Sequence, residues 1–310
     1  MKPDPAPVER PLDISEFAQF HEPAGTASAR LEISGMAVEL RGIPEPLAEA
    51  MRTQYAPYLG PVTGEGAPLR IEVLDAPRDY FVTPGFTKAT ENYRVETAVE
   101  GTLFRSASYR LASWFDVARG VGQAALAHGE LDPLPRTMEN FLRSAVAWLA
   151  MERGGFFLHG ASIVRDGVAY LFYGPSGAGK STLSALSDQG QVISDDLTLV
   201  VRRPEGLRAA GGPFRGTYRK GEPVVGLFPI AGFYRLRKDE RTLVRRGDGA
   251  CFADLLGNLP WVVDQFPRQP HLIDRVRALV EGLPFRYLHF RKDESFWPAI
   301  DADRRAASQR

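Results

Sequence analysis

The chain has 310 residues, of which 44% are apolar and 25% charged, with 30 glycines, 24 prolines and a net charge of zero. That length allows two packed domains, and those proportions exclude a disordered, collagenous or low-complexity chain. No apolar stretch approaches the roughly 18 residues of a spanning helix, the longest run being the seven residues 145–151.

The opening MKPDPAPVERPLD places prolines and acids where a signal peptide has a basic start and an apolar core. With a single cysteine, Cys251, it predicts a cytoplasmic protein without disulfides. The zero net charge hides an asymmetry. Residues 1–150 hold 14 Lys and Arg against 20 Asp and Glu, a net of −6, whereas residues 151–310 hold 24 against 18, a net of +6. The basic half suits anions. Its basic residues are scattered and no zinc finger is present, so the expected ligand is a small phosphorylated molecule, with no nucleic acid and no membrane as partner.

In chain order, residues 1–28 lack periodicity and read as a tail or a loosely docked arm. Leu31, Ile33, Met36, Val38 and Leu40 approximate a β-ladder, 44–55 a helix opened by prolines, and Leu69, Ile71 and Val73 a further strand. The stretch 93–108 reads as two strands joined at Glu100-Gly101, and 114–126 as a closing helix weakened by Gly120 and Gly122. Residues 29–135 thus form a small α/β domain. Pro133 and Pro135 mark the boundary to a second domain over 136–300, with 301–310 as a tail. The second domain opens with a helix from Thr137 to the Gly154-Gly155 stop, whose stripe of Phe141, Leu142, Ala145, Trp148 and Leu149 is core.

The segment Gly174-Pro175-Ser176-Gly177-Ala178-Gly179-Lys180-Ser181-Thr182 fills every fixed position of the G-x-x-x-x-G-K-[ST] phosphate loop. Its glycines let the backbone close around phosphates and aim N–H groups inward. Lys180 reaches terminal phosphate oxygens, and the Ser181 hydroxyl can ligate Mg²⁺. An apolar strand (168–172) runs in, and Leu183, Ala185 and Leu186 continue as a helix.

A phosphate loop alone names no reaction. Upstream, two short strands flank Arg165-Asp166-Gly167, an antiparallel hairpin signal, where common nucleotide folds have a long crossover. Downstream, Val192-Ile193-Ser194-Asp195-Asp196 brings Asp195 fifteen residues after Lys180, room for a three-turn helix and a strand. The two acids then end a strand beside the phosphates, where a carboxylate can accept a hydroxyl proton or ligate Mg²⁺. On an extended segment adjacent carboxylates face opposite ways, so the pair divides these tasks. No Leu-Ser-Gly-Gly-Gln segment occurs, which removes a transport ATPase. Downstream lies a basic loop, Gly211-Gly212-Pro213-Phe214-Arg215-Gly216 with Arg219 and Lys220, followed by Arg235, Arg237, Arg245 and Arg246, of which one is expected to serve the migrating phosphoryl group.

His159-Gly160, the hairpin, the phosphate loop and Asp195-Asp196 together resemble the C-terminal catalytic domain of the HPr kinase/phosphorylase family, whose fold is related to phosphoenolpyruvate carboxykinase. The resemblance covers about residues 156–201 well, extends weakly to about 297 and leaves out 1–135. It implies an HPr kinase-like fold, ATP and Mg²⁺ as cofactors, and a hydroxyl-bearing peptide or small molecule as acceptor. By position it implies that 174–182 hold the triphosphate, Lys180 stabilises the transferred charge, Ser181 and Asp195 ligate Mg²⁺, and Asp196 is the base. His159 is then a functional histidine that tunes Asp196 or touches the acceptor phosphate, and Arg245 a catalytic arginine. The other histidines, at 21, 128, 271 and 289, are expected to be structural. The family's Glu-Ile-Arg-Gly-Leu-Gly signature is missing, with Glu222 a weak stand-in, and its phosphorolysis segment is unrecognisable around 266–271.

The sequence therefore predicts an α/β (α+β) protein with an N-terminal recognition or regulatory domain and a phosphate-loop domain with a mixed sheet. The expected activity is ATP- and Mg²⁺-dependent phosphoryl transfer to a hydroxyl, with a nucleotide-binding scaffold and a nucleoside-triphosphate hydrolase as alternatives. A homo-oligomer is compatible with it.

Overall fold

Ser34 and Gly35 both take positive φ angles, 50° and 81°. This is the conformation that lets a two-residue turn follow the twist of its strands, so β1 (Ala27–Ile33) folds back antiparallel on β2 (Met36–Ile43). In the computed structural model the described residues are 14–60, 67–77, 80, 95–108, 110–127, 134–187, 190–214, 216 and 224–309. They divide into two units, 1–152 and 153–310.

In the first unit, Pro44 precedes α1 (Glu45–Tyr55) and Pro46 lies in its first turn, where a missing N–H costs nothing. The helix buries Leu47, Ala48, Met51 and Tyr55 and leads into β3 (Leu69–Ala76), parallel to β2. The expected hairpin at Glu100-Gly101 joins β4 (Val95–Glu100) to β5 (Leu103–Ser108). The predicted helix over 114–126 is instead part of a further hairpin, β6 (Leu111–Asp116) and β7 (Val121–Ala127). The glycines that weaken a helix decide this. Gly120 turns at φ 68°, and a Cβ on Gly122 would lie 2.4 Å from the Trp114 carbonyl oxygen, so the two strands can pair only around a glycine. The seven strands order as β1-β2-β3-β7-β6-β5-β4.

Two boundaries also differ from the sequence reading. Phe17 and Phe20 are buried and Ala24 N–H donates to the Val73 carbonyl, so residues 14–26 dock on the first sheet; residues 1–13 fall outside the described part. The helix after the prolines, α2 (Leu134–Glu152), belongs to the first unit. Its Phe141 packs edge-on against Phe115, and its Trp148 lies 6.0 Å from Phe104. The prolines start this helix without separating it from the sheet that covers its apolar face, and the chain divides after Glu152. Counted to that point the first unit carries 14 basic and 21 acidic residues, and the second 24 and 17, so the charges separate to −7 and +7.

The second unit is built on β8 (Gly155–Arg165), β9 (Val168–Tyr173), β10 (Gln191–Ser194), β11 (Leu197–Arg203), β12 (Gly206–Ala210), β13 (Leu227–Lys238), β14 (Leu243–Arg246) and β15 (Phe285–Phe290). Asp166 and Gly167 both have positive φ and close the β8–β9 hairpin as expected. The two long strands, β8 and β13, serve three partners each. Successive stretches of β8 pair with β11 and β9, and successive stretches of β13 pair with β12, β9 and β15, so the pairings β8-β11-β12-β13-β9 close into a ring. Strands β9, β13 and β15 run parallel. Helices α3 (Lys180–Ala185), α4 (Gly249–Leu256), α5 (His271–Val280) and α6 (Phe296–Ser308) complete the unit.

Most of the stretch read as a tail, 301–310, is the continuation of α6. Trp297 packs edge-on against Tyr170 at 5.1 Å, Asp301 accepts two hydrogen bonds from Arg165 (3.0 and 3.1 Å), and Asp303 accepts from Arg286 (2.7 Å). Among the described residues no helix is long and apolar enough to cross a membrane.

Candidate functional site

The phosphate loop leaves the carboxyl end of β9, the outermost of three parallel neighbours, which is where ligands collect in open α/β sheets. Gly174, Gly177 and Gly179 have φ of 153°, 76° and 108°, a backbone path that L-residues with a Cβ rarely take. At Gly177 a Cβ would meet nothing within 4 Å, so backbone conformation alone demands glycine there. The helix that follows is shorter than the expected three turns, spanning 180–185. The Ser184 and Ser187 hydroxyls donate to the Lys180 and Leu183 carbonyls, side-chain bonds that compete with helical continuation.

Lys180 is 9% exposed and folds over the loop, its Nζ donating to the carbonyls of Gly174 (2.8 Å) and Pro175 (3.4 Å). Burial lowers its pKa, Asp196 opposes that shift, and Arg235 adds to it. The ammonium is thus held over the loop by backbone carbonyls, in the field of Asp196.

The acids sit at a break in pairing. β10 and β11 run in succession along β8, 191–194 against 162–164 and 197–201 against 155–159, and the register shifts inside β10, between Val192 and Ser194. Asp195-Asp196 occupy the interruption, a bend that aims side chains out of the ladder, as bulges do beside active sites. Both carboxylates line one cleft. The expectation of opposite faces assumed an unbroken strand, and the bend removes the alternation. Ser194 holds the turn, its Oγ accepting from the N–H groups of Asp196 (3.1 Å) and Leu197 (3.0 Å) and donating to the Phe214 carbonyl (3.3 Å). Asp195 is buried and accepts the Gly216 N–H at 3.0 Å. Asp196 is more open, with Oδ1 3.7 Å from His159 Nε2. His159 lies on β8 opposite Leu197, and its own N–H donates to Asn258.

The resulting cleft, about 510 Å³, is formed by the second unit alone. Of the predicted residues it brings together His159, Ser176, Gly177, Gly179, Lys180, Ser181, Thr182, Asp195 and Asp196. Gly174, Pro175 and Ala178 shape the loop without lining the cleft, Ala178 being part of the core beneath. Arg245 is not brought in. It is exposed on β14, beyond β15 and β13 from the phosphate-loop strand. Arg235 lies beside Gly174 but its guanidinium donates to Asp254 (2.6 Å), and Arg237 stacks over the Tyr287 ring (4.2 Å). Arg215, Arg219, Lys220 and Glu222 lie outside the described residues.

Gly216, read only as part of the basic loop, and Lys238 and Lys292, which sequence reading missed, complete the lining. The lysines had a signal. Arg237-Lys238-Asp239-Glu240 and Arg291-Lys292-Asp293-Glu294 are the same four residues, and they end or follow two parallel strands.

No family model and no curated protein matches the chain. The chemistry of the cleft rests on its own geometry.

Among the described residues no three of His, Cys, Asp and Glu gather into a metal cage. Mg²⁺ bound with a nucleotide needs no cage, since one or two carboxylates and substrate oxygens suffice. The buried Asp195, the more open Asp196 and the exposed Ser181 hydroxyl on one cleft are oxygen donors of that kind.

Gly216 gives a sharp test of the acid pair. A Cβ there would stand 2.7 Å from Asp195 Oδ1 and 2.9 Å from Asp196 Cβ. Gly216→Ala is therefore expected to displace the carboxylates, destabilising the fold by about 1–3 kcal/mol and lowering Mg²⁺-dependent turnover more than any loss of folded protein accounts for. A variant with wild-type Mg²⁺ dependence would show that the contact positions nothing.

Proposed function

We propose that the chain is an ATP- and Mg²⁺-dependent kinase of the HPr kinase-like type, transferring the γ-phosphoryl group to a hydroxyl. The observation that carries this reading is the convergence of the phosphate loop, Lys180, the paired acids and His159 on one cleft. Nucleotide binding alone would need the loop and a metal ligand. A second carboxylate with a histidine 3.7 Å away adds a proton acceptor.

In this reading the loop backbone and Lys180 hold the β- and γ-phosphates, and Ser181 with Asp195 holds Mg²⁺. The metal supplies charge neutralisation across the phosphates. Asp196 accepts the acceptor's hydroxyl proton as that oxygen bonds to the γ-phosphorus and the bond to the β-bridging oxygen breaks, releasing ADP. His159 orients the Asp196 carboxylate. The first unit, at −7, selects the acceptor, favouring a neutral or cationic hydroxyl compound.

The test is incubation with Mg²⁺ and γ-labelled ATP in the presence of hydroxyl-bearing peptides and small molecules. Label in an acid-stable phosphoester supports the kinase, label released only as phosphate gives the hydrolase, and neither product leaves the scaffold. One further outcome concerns direction. The purified phospho-product mixed with inorganic phosphate is expected to yield no pyrophosphate, because the residues at 266–271 do not reproduce the phosphorolysis segment. Pyrophosphate in that mixture would show the segment to be dispensable.

A further inference from the structure

The cleft holds two cations that the proposed reaction has not yet used. Lys238 ends β13 and Lys292 follows β15, and these strands lie side by side with Lys238 opposite Phe290. In each Arg-Lys-Asp-Glu copy the neighbours are engaged. Asp239 accepts from His289 Nδ1 (2.8 Å) and from the Arg241 N–H, Asp293 accepts from Arg291 Nε and from the Ser295 N–H, and Arg237 covers Tyr287. The side chains of Lys238 and Lys292 have neither ion pair nor hydrogen bond among the described residues, and both line the cleft.

Charge explains why they are needed. Lys180 against Asp195 and Asp196 leaves the described site one negative charge, which would repel a Mg·nucleotide that is itself negative. Lys238 and Lys292 turn that balance to one positive charge. Their place also matters. Gly179 of the phosphate loop would touch the Phe290 ring through any Cβ, at 3.3 Å, so the end of β15 abuts the loop. His159 and Asp196 belong to β8 and to the bend beside it, away from the β13 and β15 ends.

We infer that Lys238 and Lys292 form a clamp for the phosphates the donor nucleotide keeps, opposite the acids that meet the acceptor. The clamp rests on the nucleotide-binding reading above. It requires a polyphosphate donor and confers salt-dependent attraction, since exposed charges act through solvent.

Mg·ADP is the probe, because it carries the retained phosphates and cannot transfer. Calorimetric titration of the full chain is expected to show about tenfold weaker binding for Lys238→Ala and for Lys292→Ala, and about a hundredfold for the pair, the range for charge-assisted hydrogen bonds. The pair should also flatten the salt dependence, leave the melting temperature without ligand unchanged, and recover most affinity as the double Lys→Arg variant. Wild-type Mg·ADP affinity in the double alanine variant overturns the clamp, and if that variant instead binds inorganic phosphate more weakly, the lysines serve an anionic acceptor. Absence of nucleotide binding by the wild type overturns the nucleotide reading, and the clamp with it.

Discussion

Lys180→Ala is expected to abolish nucleotide-dependent turnover, with a loss of about 10²–10³-fold for one electrostatic contact to the transferring group, while the fold survives. The lysine makes two hydrogen bonds to carbonyls of its own loop and pays for its burial with a lowered pKa, so its removal costs the apo protein little. On the proposed reading a bound Mg·nucleotide would offer phosphate oxygens in place of the Gly174 carbonyl. Thermal melts decide the point. At a ligand concentration 100 times Kd the wild type should gain about 2.7 kcal/mol, and the variant should lose most of that gain. A variant that keeps both stabilisation and turnover would remove the phosphate-loop assignment.

The second large effect separates a kinase from a scaffold. Asp196→Asn should bind Mg·ATP within about tenfold of wild type and transfer about 10²-fold more slowly or worse, the contribution of a general base. Asn cannot take the acceptor's proton, yet it keeps the size and the acceptor oxygen that the bend accommodates. Asp195→Asn should act differently. Its amide oxygen can still accept the Gly216 N–H, so the loop stays in place, and the loss appears as a higher Mg²⁺ requirement. If both variants bind and react as wild type does, the acids form a structural turn and the scaffold reading gains.

The phosphate loop, the hairpin before it and the acids after it were legible because each is encoded locally, in glycines that need positive φ and in a spacing short enough to fix the topology. The mixed α/β class followed from the same local patterns. What escaped was set by distant contacts. Whether 114–126 coils or pairs depends on the Trp114 carbonyl meeting Gly122. The helix after the prolines belongs to the first sheet because Phe104 and Phe115 cover it, which its own amphipathic pattern does not reveal. Arg245 followed a resemblance in sequence position, whereas the strand order puts it at the edge and brings the ends of β13 and β15 to the cleft. The bend at Asp195-Asp196 was hidden for a related reason, since it is the gap between two strands, β10 and β11, that pair in succession along β8.

The ladder around β8 and β13 has a consequence for exchange with solvent deuterium. Ser162 pairs with Leu171 on β9 and with Ser194 on β10, and Phe233, Tyr234 and Arg235 each pair with both β9 and β15. Amides in strands paired along both edges exchange only when a whole cooperative unit opens. The β9 strand that delivers the phosphate loop is itself part of this slowest layer. Ligand-dependent protection should therefore be confined to the loop amides and the acid bend, against a frame whose exchange is already near its floor.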